Sequence, residues 1–231
     1  MHRVPALIST RLTAFFFHVT WMASAVAGPI VVPTGLNPGD QFRLAFVTST
    51  TRDALSSSIN DYNGFVGTVA NSVPSLAALE TTWRVIGSTT LIDARDNTAT
   101  NPAITTGVPI FNLGGQKVAD NNADLWDGTL HTGTSFHFDE LGIIRDVIVW
   151  TGTTKIGVHR QYFALGQTTI AVVGGQSWRT NADWMEQNGP PAASLHSVYA
   201  ISDILTFVPE PSTYAMAAIG IVALLFARRR K

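Results

Sequence analysis

The sequence lacks cysteine altogether among its 231 residues. This absence excludes a disulfide framework, a thiolate metal site and a cysteine nucleophile. Charge is also scarce, since Asp, Glu, Lys and Arg make up 13% of the chain against about 25% in ordinary globular proteins. The formal net charge of −1 gives no sign of the basic surface that nucleic-acid binding requires. We therefore expect a globular protein without cross-links and without a nucleic-acid partner.

Residues 1–27 have the pattern of a secretory signal peptide. Basic residues near the start precede an apolar stretch over residues 12–27. Ala25 and Ala27 place small side chains at the two positions that signal peptidase recognises, so cleavage is expected after Ala27. A retained membrane anchor is the alternative, but the helix-breaking dipeptide Gly28-Pro29 ends the stretch early for a membrane span.

The C-terminal residues 208–231 have three parts in a fixed order. A short polar motif comes first, an apolar run over residues 214–227 follows, and a basic cluster ends the chain. The motif and the cluster are Pro209, Glu210, Pro211 and Arg228, Arg229, Arg230, Lys231. We predict a membrane helix over 214–227, because basic side chains beside a short apolar helix can extend towards the lipid headgroups. The cluster acts as a stop-transfer signal, since cations resist translocation and keep the tail in the cytoplasm.

This three-part ending resembles the PEP-CTERM sorting signal of Gram-negative bacteria that produce exopolysaccharide. The resemblance implies that a membrane-embedded sorting protease, exosortase, recognises Pro209, Glu210 and Pro211 and processes the chain. It also implies an exported protein that the C-terminal helix anchors in the inner membrane before processing. The processed protein then reaches the cell surface or the extracellular space. A simple single-span tail anchor is the alternative.

Between the two ends, residues 28–207 are expected to form one extracytoplasmic domain. This segment holds nine of the 15 basic residues and fifteen of the 16 acidic residues, so its net charge is −6. An acidic domain disfavours electrostatic binding to anionic lipid, DNA or sulfated glycans. It is compatible with neutral or cationic polysaccharide, and exopolysaccharide therefore stays open as a partner.

Hydrophobic periodicity predicts an α+β domain that is rich in loops. Apolar residues recur every three or four positions from Ile59 to Val69, which indicates an amphipathic helix with Ser57 or Ser58 as N-cap. The predicted β segments are 42–46 (half buried), 83–86, 108–113, 147–151, 170–173 and 197–202. One helical turn is predicted at 124–128, and the matching Gly-Gly-Gln triplets at 114–116 and 174–176 are interpreted as two turns.

Three stretches of the domain resemble the endostatin domain of collagens, a member of the C-type-lectin-like folds. They are 83–113, 149–157 and 177–201. The resemblance implies a single C-type-lectin-like (endostatin-like) domain, but without the disulfides of that family. Tryptophan packing must then hold the core, and the available residues are Trp83, Trp126, Trp150, Trp178 and Trp184. The loop 187–191 lacks the carboxylate of the lectin calcium motif, which argues against a calcium-dependent lectin.

Two clusters offer oxygen or nitrogen ligands. Asp120, Asp124 and Asp127 are weak candidates for calcium, and a polar turn with a helix cap is the favoured alternative. A second cluster, which we expect to be exposed loop residues rather than metal ligands, consists of His131, His137, Asp139 and Glu140. The lone histidines His159 and His196 are expected to be structural or exposed.

No catalytic motif stands out in the chain. A Gly-x-Ser-x-Gly elbow and a phosphate-binding loop are both absent from the sequence. We therefore expect no enzyme and no cofactor, with calcium left open. The favoured function is a non-enzymatic component of the envelope or the exopolysaccharide matrix. A glycan-binding lectin-like module and a polysaccharide-modifying enzyme are the alternatives.

Overall fold

The computed structural model describes residues 31–208, apart from 32, 168–170 and 188. The sequence predictions on the signal peptide, including Ala25 and Ala27, lie outside the described residues. The same holds for Pro209, Glu210, Pro211, for the helix at 214–227 and for the basic cluster 228–231. In the part of the chain that is described, no helix combines the length and apolarity that a membrane crossing requires.

The described residues form one mixed sheet with short helices around it, as expected for a loop-rich α+β domain. The strands are β1 Gln41–Val47, β2 Trp83–Val85, β3 Ile110–Asn112, β4 Lys117–Ala119, β5 Ile148–Trp150, β6 Gly174–Gln176, β7 Ser197–Ser202 and β8 Leu205–Thr206. The helices are α1 Ile59–Asn71, α2 Pro74–Ala77, α3 Ala94–Asn97, α4 Asn122–Leu125 and a 3-10 turn at Ala182–Trp184.

Strands β1 and β7 lie in the middle of this sheet. The strand order is β4-β3-β1-β7-β5-β6, with β2 also paired to β7 and β8 to β1. The pairs β1–β3 and β5–β7 are parallel, and the other pairs are antiparallel. Ala45 faces Ile201 across the central antiparallel pair.

Both faces of the sheet are covered. On β7, Val198 and Ala200 pack into a core that includes α1, whereas Tyr199 and Ile201 pack into a second core on the other face. This alternation confirms the predicted opposite faces of 197–202. The prediction of a half-buried first strand is wrong, because six of the seven β1 residues are buried. A central strand that lies between two cores exposes neither face to solvent.

Tryptophan side chains occupy both cores, as the absence of cysteine requires. Trp83 and Trp150 lie on the α1 side, and Trp126 and Trp184 lie on the other. The rings of Trp126 and Trp184 have centroids 6.1 Å apart. Trp178 is 37% exposed, so the expectation that it supports the core is wrong.

Several predicted elements shift along the chain. Helix α1 begins after Ser58, as predicted, although the Ser58 side chain makes no capping hydrogen bond. The predicted helical turn at 124–128 lies earlier, at α4. The triplet 114–116 lies in a turn, but the triplet 174–176 is β6, so its interpretation as a turn is wrong. The described residues of the predicted strand 170–173 are not in a strand.

The two ends of the fold are hydrogen-bonded to each other. Strand β8 pairs with the start of β1. The amide of Phe207 donates to the carbonyl oxygen of Asp40 over 2.8 Å, and the amide of Gly39 donates to the carbonyl oxygen of Phe207 over 2.9 Å. Val208 follows and is 75% exposed. Phe207 thus closes the described fold against the residues before β1.

Candidate functional site

Two of the three aspartates predicted as calcium candidates come together, and a histidine joins them. Side-chain ligand atoms of Asp120, Asp124 and His131 lie within 4.8 Å of one another. The Nε2 atom of His131 is 3.0 Å from Oδ2 of Asp124 and 3.4 Å from Oδ2 of Asp120. Asp127 does not take part, because its Oδ1 accepts from the amide and the hydroxyl of Thr129 over 2.7 and 2.8 Å.

Neighbouring groups already satisfy this cluster. The ammonium of Lys117 lies 2.5 Å from Oδ1 of Asp120, and this bond lowers the pKa of the Asp120 carboxyl below its ordinary value. The side chain of Asn121 caps α4 by accepting from the amides of Ala123 and Asp124 over 2.9 and 3.1 Å. The structure therefore supports the polar turn with a helix cap, which is a structural role.

The other histidine–carboxylate group does not form a common site. Asp139 is fully buried, accepts from the amides of Leu141 and Ile143 and pairs with Nε of Arg145 over 2.7 Å. Glu140 is buried as well and accepts from the amide and the hydroxyl of Ser49. The expectation of exposed loop residues is therefore wrong for both carboxylates. Glu140 ties its loop to the chain that follows β1, and Asp139 holds the loop itself together.

His137 belongs to neither group. Its Nδ1 lies 3.5 Å from Oδ1 of Asp146, and its ring lies edge-on to Phe138 with centroids 4.8 Å apart. The four residues of the predicted second cluster thus have separate partners, so they share no metal site.

His159 is not a lone histidine, because it pairs with Asp93. One carboxylate oxygen of Asp93 lies 2.8 Å from Nδ1 of His159 and also accepts the His159 amide over 2.8 Å. An Asp–His pair is two thirds of a hydrolase triad, which also needs a hydroxyl nucleophile. Thr153 forms an isolated antiparallel β-bridge with His159. Its hydroxyl donates to the carbonyl oxygen of Thr151 over 2.7 Å. Thr153 is also buried, so it does not complete a triad.

His196 lies against the core instead. Its ring packs edge-on against Trp150 at a centroid distance of 4.9 Å. Burial lowers the pKa of His196 below its ordinary value. It borders a shallow hollow between Thr51, Ile148 and Leu195, and its packing fits the structural role that we expected.

A cavity beside β6 contains the functional candidates that the sequence reasoning missed. Its volume is about 280 Å³. Its lining side chains come from the loop after β5, from the residues before β6 and from the residues after the 3-10 turn: Arg160, Phe163, Val172, Val173, Glu186 and Gln187. The only sequence signal was a basic residue followed closely by an aromatic one in the loop 151–168. Contacts between distant segments build the rest.

Comparison with known families identifies the C-terminal segment. Residues 207–231 match the PEP-CTERM protein-sorting motif, which confirms the sorting signal predicted at 208–231. No curated protein matches the chain. The match supports an exported surface protein that is anchored at its C-terminus and then processed by exosortase.

Proposed function

We propose that residues 28–207 form a non-enzymatic component of the envelope or the exopolysaccharide matrix, delivered to the surface through the sorting motif. The position of the motif relative to the fold carries this proposal. The motif begins at Phe207, the residue whose backbone closes the domain against Gly39 and Asp40. Cleavage after this point would release the domain with its hydrogen bonds and its two cores intact.

Each part of the termini has a role in this proposal. Signal peptidase cuts after Ala27, and exosortase recognises Pro209, Glu210 and Pro211. The helix at 214–227 holds the chain in the inner membrane until processing. The two prolines prevent that helix from continuing into the domain, because proline disrupts a helix interior.

We also propose that the domain has a C-type-lectin-like, endostatin-like fold. The loop-rich mixed sheet, in which β1 pairs with the last two strands, supports it. The long loops between β3 and β7 also support it. A non-enzymatic role is supported by the contacts of the carboxylate and histidine side chains. Asp139 and Glu140 hold loop backbone, and the Asp93–His159 pair lacks a hydroxyl partner in Thr153.

Replacing the acidic residue of the motif tests this proposal. Glu210→Ala, and separately deletion of 228–231, should make the unprocessed form accumulate in the membrane fraction, measured by immunoblot of a strain that has exosortase. Glu80→Ala is the matched control, because Glu80 lies in the domain and outside the motif. It should be processed as the unaltered chain is. Unchanged processing and location of both motif variants would overturn the proposal.

A further inference from the structure

The cavity beside β6 has the size of a site for one small ring. Ligand pockets for drug-sized molecules span about 300–1,000 Å³, and this cavity lies just below that range at about 280 Å³. Its wall is held firmly, because the backbone of Gln187 exchanges two hydrogen bonds with Gly174 of β6, over 2.7 and 3.1 Å. A Cβ on Gly189 would overlap the carbonyl oxygen of Val172. The chain segments around the cavity therefore pack closely.

A fixed ion pair provides hydrogen-bond donors and acceptors at this cavity. Nη1 of Arg160 donates to Oε1 of Glu186 over 2.8 Å, and Oε2 of Glu186 accepts the amide of Lys155 over 2.9 Å. Each carboxylate oxygen has capacity for another hydrogen bond, and a guanidinium carries five N–H donors. A carboxylate beside a guanidinium matches two neighbouring hydroxyl groups, since each hydroxyl can both donate and accept.

Apart from Gln187, the remaining lining is apolar and includes a partly exposed aromatic ring. Phe163 is 40% exposed, whereas Val172 and Val173 are buried. The carbonyl oxygen of Phe163 accepts the amide of Val173 over 2.9 Å, which fixes the backbone of the aromatic residue next to the cavity. An aromatic ring beside fixed polar groups suits a ligand with one C–H face and a rim of hydroxyl groups.

Charge decides between neutral and anionic ligands of this shape. Arg160 and Glu186 neutralise each other, and the domain carries a net charge of −6. An acidic sugar would meet the Glu186 carboxylate and the field of an acidic domain. A neutral sugar is repelled neither by the Glu186 carboxylate nor by the negative charge of the domain.

We infer that this cavity binds one neutral hexose residue of an exopolysaccharide, with Phe163 against the C–H face of the ring and the Arg160–Glu186 pair on its hydroxyl groups. The inference rests on the proposed function for the source of the ligand, which is the matrix around the exported domain. It goes beyond that function by assigning a binding site and the chemical class of the ligand.

Titration of the full chain tests this inference, in a zwitterionic detergent without a sugar headgroup. The probes are the methyl glycosides of glucose, mannose and galactose, with glucuronate as the anionic comparison. Saturation-transfer NMR measures their binding. We expect at least one neutral glycoside to bind with a Kd on the order of millimolar. Phe163→Ala and Glu186→Gln should each raise that Kd about tenfold.

Two control variants alter similar groups elsewhere on the surface. Trp178→Ala removes another partly exposed aromatic ring, and Asp203→Asn weakens the exposed ion pair with Arg84. Both should leave the Kd unchanged. If Phe163→Ala proves unfolded by circular dichroism, Glu186→Gln decides the outcome, because it keeps the side-chain shape.

The inference is overturned if no neutral glycoside binds, if both cavity variants bind as the unaltered chain does, or if glucuronate binds more tightly than the neutral sugars. Its failure is distinguishable from a failure of the proposed function. Sugar binding is measured on purified protein, whereas the Glu210→Ala experiment measures processing and location in the cell.

Discussion

Buried hydroxyl and guanidinium groups fix much of this loop-rich chain, and Tyr62 is an example with a measurable pH signature. Its hydroxyl donates to the carbonyl oxygen of Ser56 over 2.9 Å, and its side chain is fully buried. Burial is the main cause that raises the pKa of Tyr62 to about 12, although the Arg52 guanidinium, 3.8 Å from the ring centroid, opposes the shift. The proton is therefore bound more tightly in the folded state than in the unfolded state.

The stability of the domain should fall as the pH rises above about 10, the ordinary pKa of tyrosine. Below that pH both states keep the proton, and the contribution is fully present. Between about 10 and 12 only the unfolded state releases it, so the free energy of unfolding falls by up to about 1.4 kcal/mol per pH unit. Tyr62→Phe should reduce this dependence without abolishing it, because burial also raises the pKa of Tyr199 well above its ordinary value; urea midpoints across the alkaline range measure the change. An equal slope in the variant and the unaltered chain would contradict the assignment.

The candidate residues show what sequence spacing can and cannot predict. The sequence analysis grouped Asp120 and Asp124, and they do lie together, because the amide of Asp120, just before the cap of α4, donates to Oδ2 of Asp124 over 2.6 Å. Spacing could not predict that His131 replaces Asp127 in the group, because that depends on how the chain after α4 turns back. Likewise, the burial of Asp139 depends on Arg145 and on amides that face it only in the folded loop.

At the level of elements, glycine explains why β6 escaped prediction. Gly174 and Gly175 have low intrinsic strand preference and no side chain to show an alternating pattern. The structure requires glycine there, since a Cβ on Gly175 would overlap the carbonyl oxygen of Trp184. In contrast, β1 and β7 carry alternating apolar residues and were predicted within one residue at each end.

Two glycine substitutions should have opposite effects on stability. Gly175→Ala forces the 3-10 turn away from β6 and should lower the free energy of unfolding by about 1–3 kcal/mol. Gly64→Ala, on the exposed face of α1 where a Cβ meets nothing within 4 Å, should raise it by about 0.5–1 kcal/mol. Urea denaturation of both variants measures these values. A stable Gly175→Ala variant would contradict the close approach at β6.

For the whole molecule, the two covered faces predict a gradient of protection. Amides of β1 and β7 lie in the centre of the sheet, whereas β4 and β8 lie at its margins. Hydrogen exchange followed by mass spectrometry should show the slowest exchange in peptides from β1 and β7, because central strands open only with the whole fold. Equal protection of β4 peptides would contradict this arrangement.

The parts of the molecule differ in how far the sequence predicts them. The sorting motif at 207–231 is a linear pattern, so the sequence alone was sufficient to find it. The α+β class followed from the strands and from α1, whose patterns are local. The cavity beside β6 was not predicted, because Arg160 and Phe163 meet Glu186 and Val173 only after three separate segments have packed together.

The pairing of β8 with β1 has a mechanical consequence. A drag force on a domain that is held by its C-terminus enters the fold through Phe207 and is carried first by the bonds to Gly39 and Asp40. Strand β8 is only two residues long, so it separates from β1 at a lower force than the longer strand pairs do. Strand β1 remains bonded to β3 and β7. The chain between the sheet and the C-terminal anchor can therefore lengthen under shear while the other strands stay paired.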